Sequence, residues 1–301
     1  MTIGQAYLGE IAAIGTAICW TFNVMAFEAA GKKVGSLSVN YIRFLIAFPL
    51  LTLTALLTRG VALPVDATTP AWFYLSLSGL IGFVLGDIFL FQALVEIGSR
   101  ISLLIKSLAP PLAALAGFLI MGESISPLGL MGILITMIGV SLVILSRSPQ
   151  EKKVQFNRPL RGIVFALLGA VGQALGLVFS KLGMGSYNPL AASQIRMIAA
   201  FIAFSILITF GKKWPEIRAA FRDRKAIGNI AIGAVLGPFI GVALSLVALQ
   251  YAPAGVVSSL TSMSPILIIP FSIAIFKEKV LPKEILGALI SIIGVVILFL
   301  R

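Results

Sequence analysis

The sequence predicts an all-α integral membrane protein of ten transmembrane helices, arranged as two inverted five-helix repeats. Three observations carry that expectation: composition, the length of the apolar runs, and a gapless internal repeat. Of 301 residues 59% are apolar and 11% charged, with a mean hydropathy of +1.07. A soluble globule is charged at roughly 25% of its residues. The apolar runs are about 20 residues long, as a spanning helix requires, whereas barrel strands would show about 10 residues of alternating polarity. Finally, the stretch from Gly82 to Leu145 aligns with that from Gly237 to Leu300 at a constant offset of 155 residues. The alignment pairs Gly86 with Gly241, Pro110 with Pro265, Glu123 with Glu278, Pro127 with Pro282, Gly132 with Gly287 and Gly139 with Gly294. Those residue types set backbone shape, so what repeats is architecture.

Read between polar or Gly/Pro punctuation, ten segments follow in order: 7–29, 37–58, 71–94, 100–121 and 127–146, then 161–183, 189–210, 228–250, 254–276 and 283–300. Segment 1 has no basic region or small-residue cleavage site before it, so it is expected to be retained as a helix. Pro110-Pro111, Pro238 and Pro265 fall inside segments 4, 8 and 9, where each removes a backbone hydrogen bond and permits a kink or hinge. Glu123 and Glu278 stand just before segments 5 and 10, placed to accept N–H groups at the starts of those helices. Gly132 and Gly139, like Gly287 and Gly294, lie nearly two turns apart and stack on one helix face, permitting close packing. Linkers are short except at 147–160 and 211–227. The chain therefore divides into a first repeat at 1–146, a cytoplasmic linker at 147–160 and a second repeat at 161–301.

Five spans per copy force the second copy to enter the membrane from the opposite side. Loop charge agrees. The loop after segment 2 holds one cation, Arg59, and its counterpart after segment 7 holds Lys212, Lys213, Arg218, Arg222, Arg224 and Lys225. Lys32, Lys33, Arg100, Arg147, Lys152, Lys153, Arg158, Lys277, Lys279 and Lys283 join the latter on one side. The positive-inside rule makes that side cytoplasmic and puts both termini outside the cytoplasmic (inner) membrane. The net charge of +12 thus orients the chain in a bilayer and calls for no nucleic-acid partner. A single cysteine, Cys19, and no histidine leave no internal disulfide, no cysteine metal cluster and no ordinary acid/base pair, so neither catalytic residues nor cofactors are expected.

Charge inside a bilayer costs several kcal/mol, so each intramembrane charge is a functional candidate with a partner to be named. Asp87 and Lys106 sit at similar depths in consecutive segments and are expected to pair, either as a structural link or as a protonation site with a substrate-carboxylate site. Glu28 and Arg43 repeat that geometry across the link between segments 1 and 2. At an offset of 153 the second copy sets Lys181 against Glu28 and Arg196 against Arg43, two cations without a carboxylate. An anionic substrate group would satisfy them, as would lipid phosphate or helix C-terminal carbonyls. Trp20, Asn23 and Phe27 share one helix face, suited equally to an aromatic substrate or to helix packing. The uncharged polar candidates are Gln92, Gln173, Gln194, Ser259 and Ser262, able to orient a small solute by hydrogen bonds or to bond their own helices.

Two five-helix repeats, Trp20 in segment 1, Arg43-Phe44 in segment 2, and segment 4 running from Pro110 to Gly122-Glu123 resemble the EamA-type members of the drug/metabolite transporter superfamily. Arg196, Pro265 and Glu278 hold the pattern in the second copy, while Gln173-Ala174 replaces the tryptophan position and Lys277-Glu278 the Gly-Glu turn. The resemblance implies a secondary active transporter of amino acids, related metabolites or amphiphilic drugs, working by alternating access through a central cavity between the repeats, with segments 5 and 10 meeting at the back. Small-molecule substrate and bilayer are the expected partners. Proton or ion coupling stays open, and a monomer suffices because both halves are fused. The alternative is a membrane-embedded enzyme acting on a lipid-linked substrate, which the scattered carboxylates and missing histidine disfavour.

Overall fold

A computed structural model describes residues 3–106, 108–146, 160–264, 266–267 and 281–299, and among these every regular element is helical. In the first half, α1 (Ile3–Val34) and α2 (Ser36–Arg59) are parted only by Gly35, whose φ of 78° lies where glycine alone goes cheaply. Gly60 closes α2 in the left-handed region, its N–H donating to the Leu56 carbonyl. Thr68 caps α3 (Thr69–Ser78) by accepting from the Ala71 N–H, with proline in the first turn. That helix runs on through a π-helical turn, Gly79–Gly86, into α4 (Asp87–Lys106), and α5 (Ala109–Met121) and α6 (Pro127–Ser146) complete the half.

The second half repeats the order. α7 (Leu160–Met184) precedes α8 (Pro189–Phe210), which starts behind Asn188 as that side chain accepts from the Leu190 and Ala191 N–H groups. A short α9 (Trp214–Ala220) leads to α10 (Arg224–Ala234), capped by Asp223. A second π-helical turn, Val235–Gly241, then joins α10 to α11 (Val242–Tyr251), followed by α12 (Ala254–Thr261) and α13 (Pro282–Phe299). Among the described residues, six helices are long and apolar enough to span: Tyr7–Gly31, Ser36–Arg59, Thr69–Leu90, Leu160–Met184, Pro189–Phe210 and Arg224–Tyr251. Ala109–Met121, Pro127–Leu142 and Ile285–Leu298 are shorter apolar helices.

Three expectations change. Helix continues through the expected break at 95–99, yet the chain turns back between Ala93 and Ile105, which pack together with Ala166, and helix starts afresh at Ala109, where Pro110 and Pro111 offer no N–H to continue a ladder. The same prolines therefore sit in the first turn of α5, where missing N–H groups cost nothing, and initiate a helix rather than kink one. The 211–227 linker contains α9, held down by Trp214, whose ring meets Tyr41 edge-on at 5.5 Å and whose Nε1–H donates to Thr209 at 3.0 Å. Pro265, Glu278 and the linker at 147–159 lie outside the described residues.

Packing follows the small residues. α6 and α13 meet as expected for segments 5 and 10. A Cβ on Gly294 would stand 2.5 Å from the Thr136 nitrogen, and the Ser291 hydroxyl donates to the Thr136 carbonyl at 3.1 Å. One buried cluster, with Leu75, Val178, Leu249 and Leu260, gathers α3, α7, α11 and α12. Another, with Phe44, Phe204, Ile217 and Ile230, gathers α2, α8, α9 and α10. Large apolar side chains such as Leu57, Phe73, Leu119, Ile138 and Phe210 point outward, an arrangement that only a lipid surround makes favourable.

Candidate functional site

The two π-helical turns occupy equivalent places under the 155-residue repeat, ending at the paired Gly86 and Gly241. Each faces the first helix of the other copy. Gly82 and Gly86 lie on Gly176 and Gly172 of α7, close enough that a Cβ on Gly172 would be 2.9 Å from the Gly86 Cα. Across the molecule, Gly233, Gly237 and Gly241 form a row into which Phe27, Asn23 and Trp20 fit in turn. The aromatic and amide stripe of α1 is thus placed in a glycine groove of the second repeat. The Thr16 hydroxyl of α1 reaches the end of the second π turn, where it donates to Gly241 O at 3.3 Å.

Between these seams lies the buried charge. Arg43 and Asp87, each 8% exposed, form an ion pair between α2 and the start of α4. The partner of each therefore differs from expectation: Arg43 on α2 takes Asp87, while the side chain of Glu28 lies outside the described residues. Lys106 lies within Coulombic range of Asp87 without sharing that ion pair. A straight helix would hold residues 87 and 106 about 28 Å apart, so the helical chain bends back between them.

Arg196 is 4% exposed and stacks over Phe83, 4.3 Å from the ring centroid, beside Gly82 in the first π turn. Among the described residues it has no ion pair or hydrogen bond, its Nε is buried and unsatisfied, and Asp87 is within Coulombic range of it. Lys181, by contrast, is compensated. Its ammonium lies 2.5 Å from Glu123 Oε1 and donates to the Ala252 carbonyl at 2.6 Å, so the two expected free cations reduce to one. Glu123 in turn accepts from the Ala254 N–H at 3.1 Å and starts α12, while Ser126 caps α6 by accepting from Gly129. The carboxylate that the sequence placed on its own next helix serves the opposite repeat.

The remaining candidates disperse. Gln194 is buried and donates to Thr52 and to the Ala62 carbonyl, tying α8 to α2 and the following loop. Gln92 is exposed and bonds Glu96 one turn on, and Glu96 faces Arg161 at 3.5 Å. Ser262 donates to Ser258 within its own chain turn, and Ser259 is fully buried with an unsatisfied hydroxyl among the described residues. Gln173 is half-buried on α7 opposite Gly86.

Sequence reasoning missed a polar tie between the repeats at the end of the bundle that carries Lys181. Arg59 pairs with Asp66 at 2.6 Å, and the Tyr187 hydroxyl donates to the same carboxylate at 2.8 Å. The Gln250 amide donates to the Tyr187 carbonyl at 3.0 Å. The Arg59 guanidinium first, then the Tyr187 hydroxyl, holds the Asp66 carboxyl below the usual carboxylate range. Burial, then the hydrogen bond to Asp66, pushes the Tyr187 hydroxyl up. A loop aspartate seven residues after a helix-terminal arginine was the only trace of this cluster in the sequence.

A chain of similar fold is known: one crystal structure superposes with a TM-score of 0.74, covering 96% of this chain and 95% of that one at 17% identity. An uncharacterized transporter of Archaeoglobus fulgidus is 23% identical over 284 residues, 94% of this chain and 95% of its own length. An uncharacterized protein of Methanocaldococcus jannaschii is 30% identical over 136 residues, which is 94% of that protein but 45% of this one. The EamA-like transporter family model matches twice, at residues 7–145 and 160–300. Apolar helices, duplicated core and twofold match together place this multi-pass membrane chain in the EamA-like transporter family.

Proposed function

We propose that the protein is a secondary active transporter that moves a small organic solute through a cavity between two inverted five-helix repeats, 1–146 and 161–301, by alternating access. The observation that carries this reading is the pair of π-helical turns at matched places, each packed on the first helix of the other copy through glycines. Such turns are points where a helix can change its hydrogen-bond register, and matched points in inverted copies let one bundle rock on the other. The polar ties support the same cycle. Lys181–Glu123 and Tyr187–Asp66 cross between repeats at one end, whereas the cross-repeat pair Lys33–Asp223 at the other is 3.8 Å long and exposed. The conformation is one closed at the Asp66 end.

In this reading the Lys33 end is cytoplasmic, both termini are outside the inner membrane, the molecule works as a monomer, and ten segments complete the two repeats. Substrate and bilayer are its partners. The enzyme reading is weaker because, among the described residues, Asp87, Glu96, Glu123 and Asp66 are each engaged in ion pairs that tie elements together. Counterflow in proteoliposomes against amino acids, sugar phosphates and cationic drugs, with and without a pH gradient, tests the proposal. Specific exchange of one solute class is expected. No solute moved, together with turnover of a lipid-linked substrate, would overturn it.

A further inference from the structure

We infer that the Arg196 guanidinium is the docking point for a carboxylate of the transported solute. The inference rests on the transporter reading and adds a substrate class to it.

Three observations meet at this residue. First, Arg196 is more deeply buried than Arg43, yet among the described residues it has no carboxylate in contact and no hydrogen-bond acceptor, since Asp87, within Coulombic range, is paired with Arg43. Its contact with Phe83 is a cation–π contact, which attracts the charge but neutralises nothing and accepts no N–H. Arg43 has that kind of contact too, with Phe44 at 4.5 Å, and has Asp87 in addition. Second, the repeat shows what is missing: the position equivalent to Asp87 is Val242, itself buried. Third, the group touches the first π turn, at Phe83 and Gly82, where the two repeats meet. A buried guanidinium with open donors in a low-dielectric setting demands an anion. One planar fork suits one planar carboxylate held bidentately, with the Phe83 ring closing the face. A solute carboxylate entering as the repeats rock would do for Arg196 what Asp87 does for Arg43.

The test uses the full chain in detergent and in proteoliposomes. The probes are phenylalanine, leucine and pyruvate, their amides phenylalaninamide, leucinamide and pyruvamide, and chloride alone. Carboxylates should raise the melting temperature and drive counterflow, while the amides fall short by about 10- to 100-fold in apparent affinity, the value of a charge-assisted bond. Arg196→Gln should abolish that preference. Val242→Asp, which retains Arg196 but supplies an internal carboxylate, should raise the melting temperature without solute and weaken carboxylate binding by a similar factor. That variant decides the matter if Arg196→Gln does not fold. Equal response to acids and amides, stabilisation by chloride alone, or undiminished carboxylate binding in Val242→Asp would overturn the inference. Counterflow of neutral or cationic solutes in the same vesicles would leave the transporter reading standing.

Discussion

Arg43 and Arg196 occupy equivalent places in two copies of one fold, and the copies treat them oppositely. The first copy surrounds its arginine with Phe44, Phe27 and a carboxylate, all within α1, α2 and α4 of the same repeat. The second sends its arginine across the seam to Phe83 of the other repeat, with valine where the aspartate would be. One arginine is built into a scaffold and the other is presented at the boundary between the repeats. Duplication supplies two equivalent sites, and a carboxylate present in only one of them makes them unequal.

The largest effect should come from breaking the first site. Arg43→Met strands Asp87 inside the membrane, and loss of one member of a buried pair costs about 3–5 kcal/mol. Arg196→Met removes a buried charge that has no ion-pair partner in contact among the described residues and should leave stability unchanged or raise it. Thermal unfolding of the two variants in detergent measures the contrast, and Asp87→Asn added to Arg43→Met should recover most of the loss. Equal destabilisation by Arg43→Met and Arg196→Met would show that both arginines are structural and erase the distinction.

A smaller effect should separate the two seams. A Cβ on Gly79 would strike the Arg196 main chain, with Cα at 3.0 Å, and backbone cannot step aside. A Cβ on Gly237 would strike only the Asn23 amide, the end of a side chain that can rotate. Gly79→Ala should therefore cost about 1–3 kcal/mol as overpacking does. Gly237→Ala should cost less, and adding Asn23→Ala should relieve it. If the double variant melts no higher than Gly237→Ala alone, the α1 stripe is not what fills the groove.

This contrast also marks what the residues made legible. Apolar runs near 20 residues and their Gly, Pro and Thr/Asn/Asp boundaries specify helices through local rules, so the described helix limits fall close to the expected ones in α2, α6, α8 and α13. The glycine row at 233, 237 and 241 has the four-residue spacing that announces close helix packing, and could have assigned the Trp20 face in advance. The π turns could not be read, because a shifted hydrogen-bond register needs no particular residue: Pro238 stands in one turn and Phe83 at the same place in the other. Nor could the partner of Arg43, since pairing by adjacency in sequence favours Glu28 and Lys106, while the pair that forms depends on how α2 lies against the π turn. Glu123 was misassigned for the same reason, as its acceptor role belongs to a helix 131 residues away.

The smallest effect concerns the tie at Asp66, where both repeats again contribute. Asp66 is exposed, and Arg59 and Tyr187 depress its folded pKa relative to the unfolded chain. Its contribution is therefore full above the ordinary aspartate value of about 3.9 and is lost as pH falls through the lower folded value. The tie should hold from neutral pH down to about pH 4 and loosen only below it. A cysteine at Ala62, beside the carbonyl that Gln194 binds, should gain reactivity toward a water-soluble maleimide after acid exposure. In Asp66→Asn that reactivity should already be raised at neutral pH and should no longer respond to acid. Because this carboxylate is exposed, whereas Asp87 is buried beside Arg43, the Asp66→Asn change should leave the melting temperature almost untouched. A fall as large as that of Arg43→Met would mean that the outer tie, rather than the central pair, holds the repeats together.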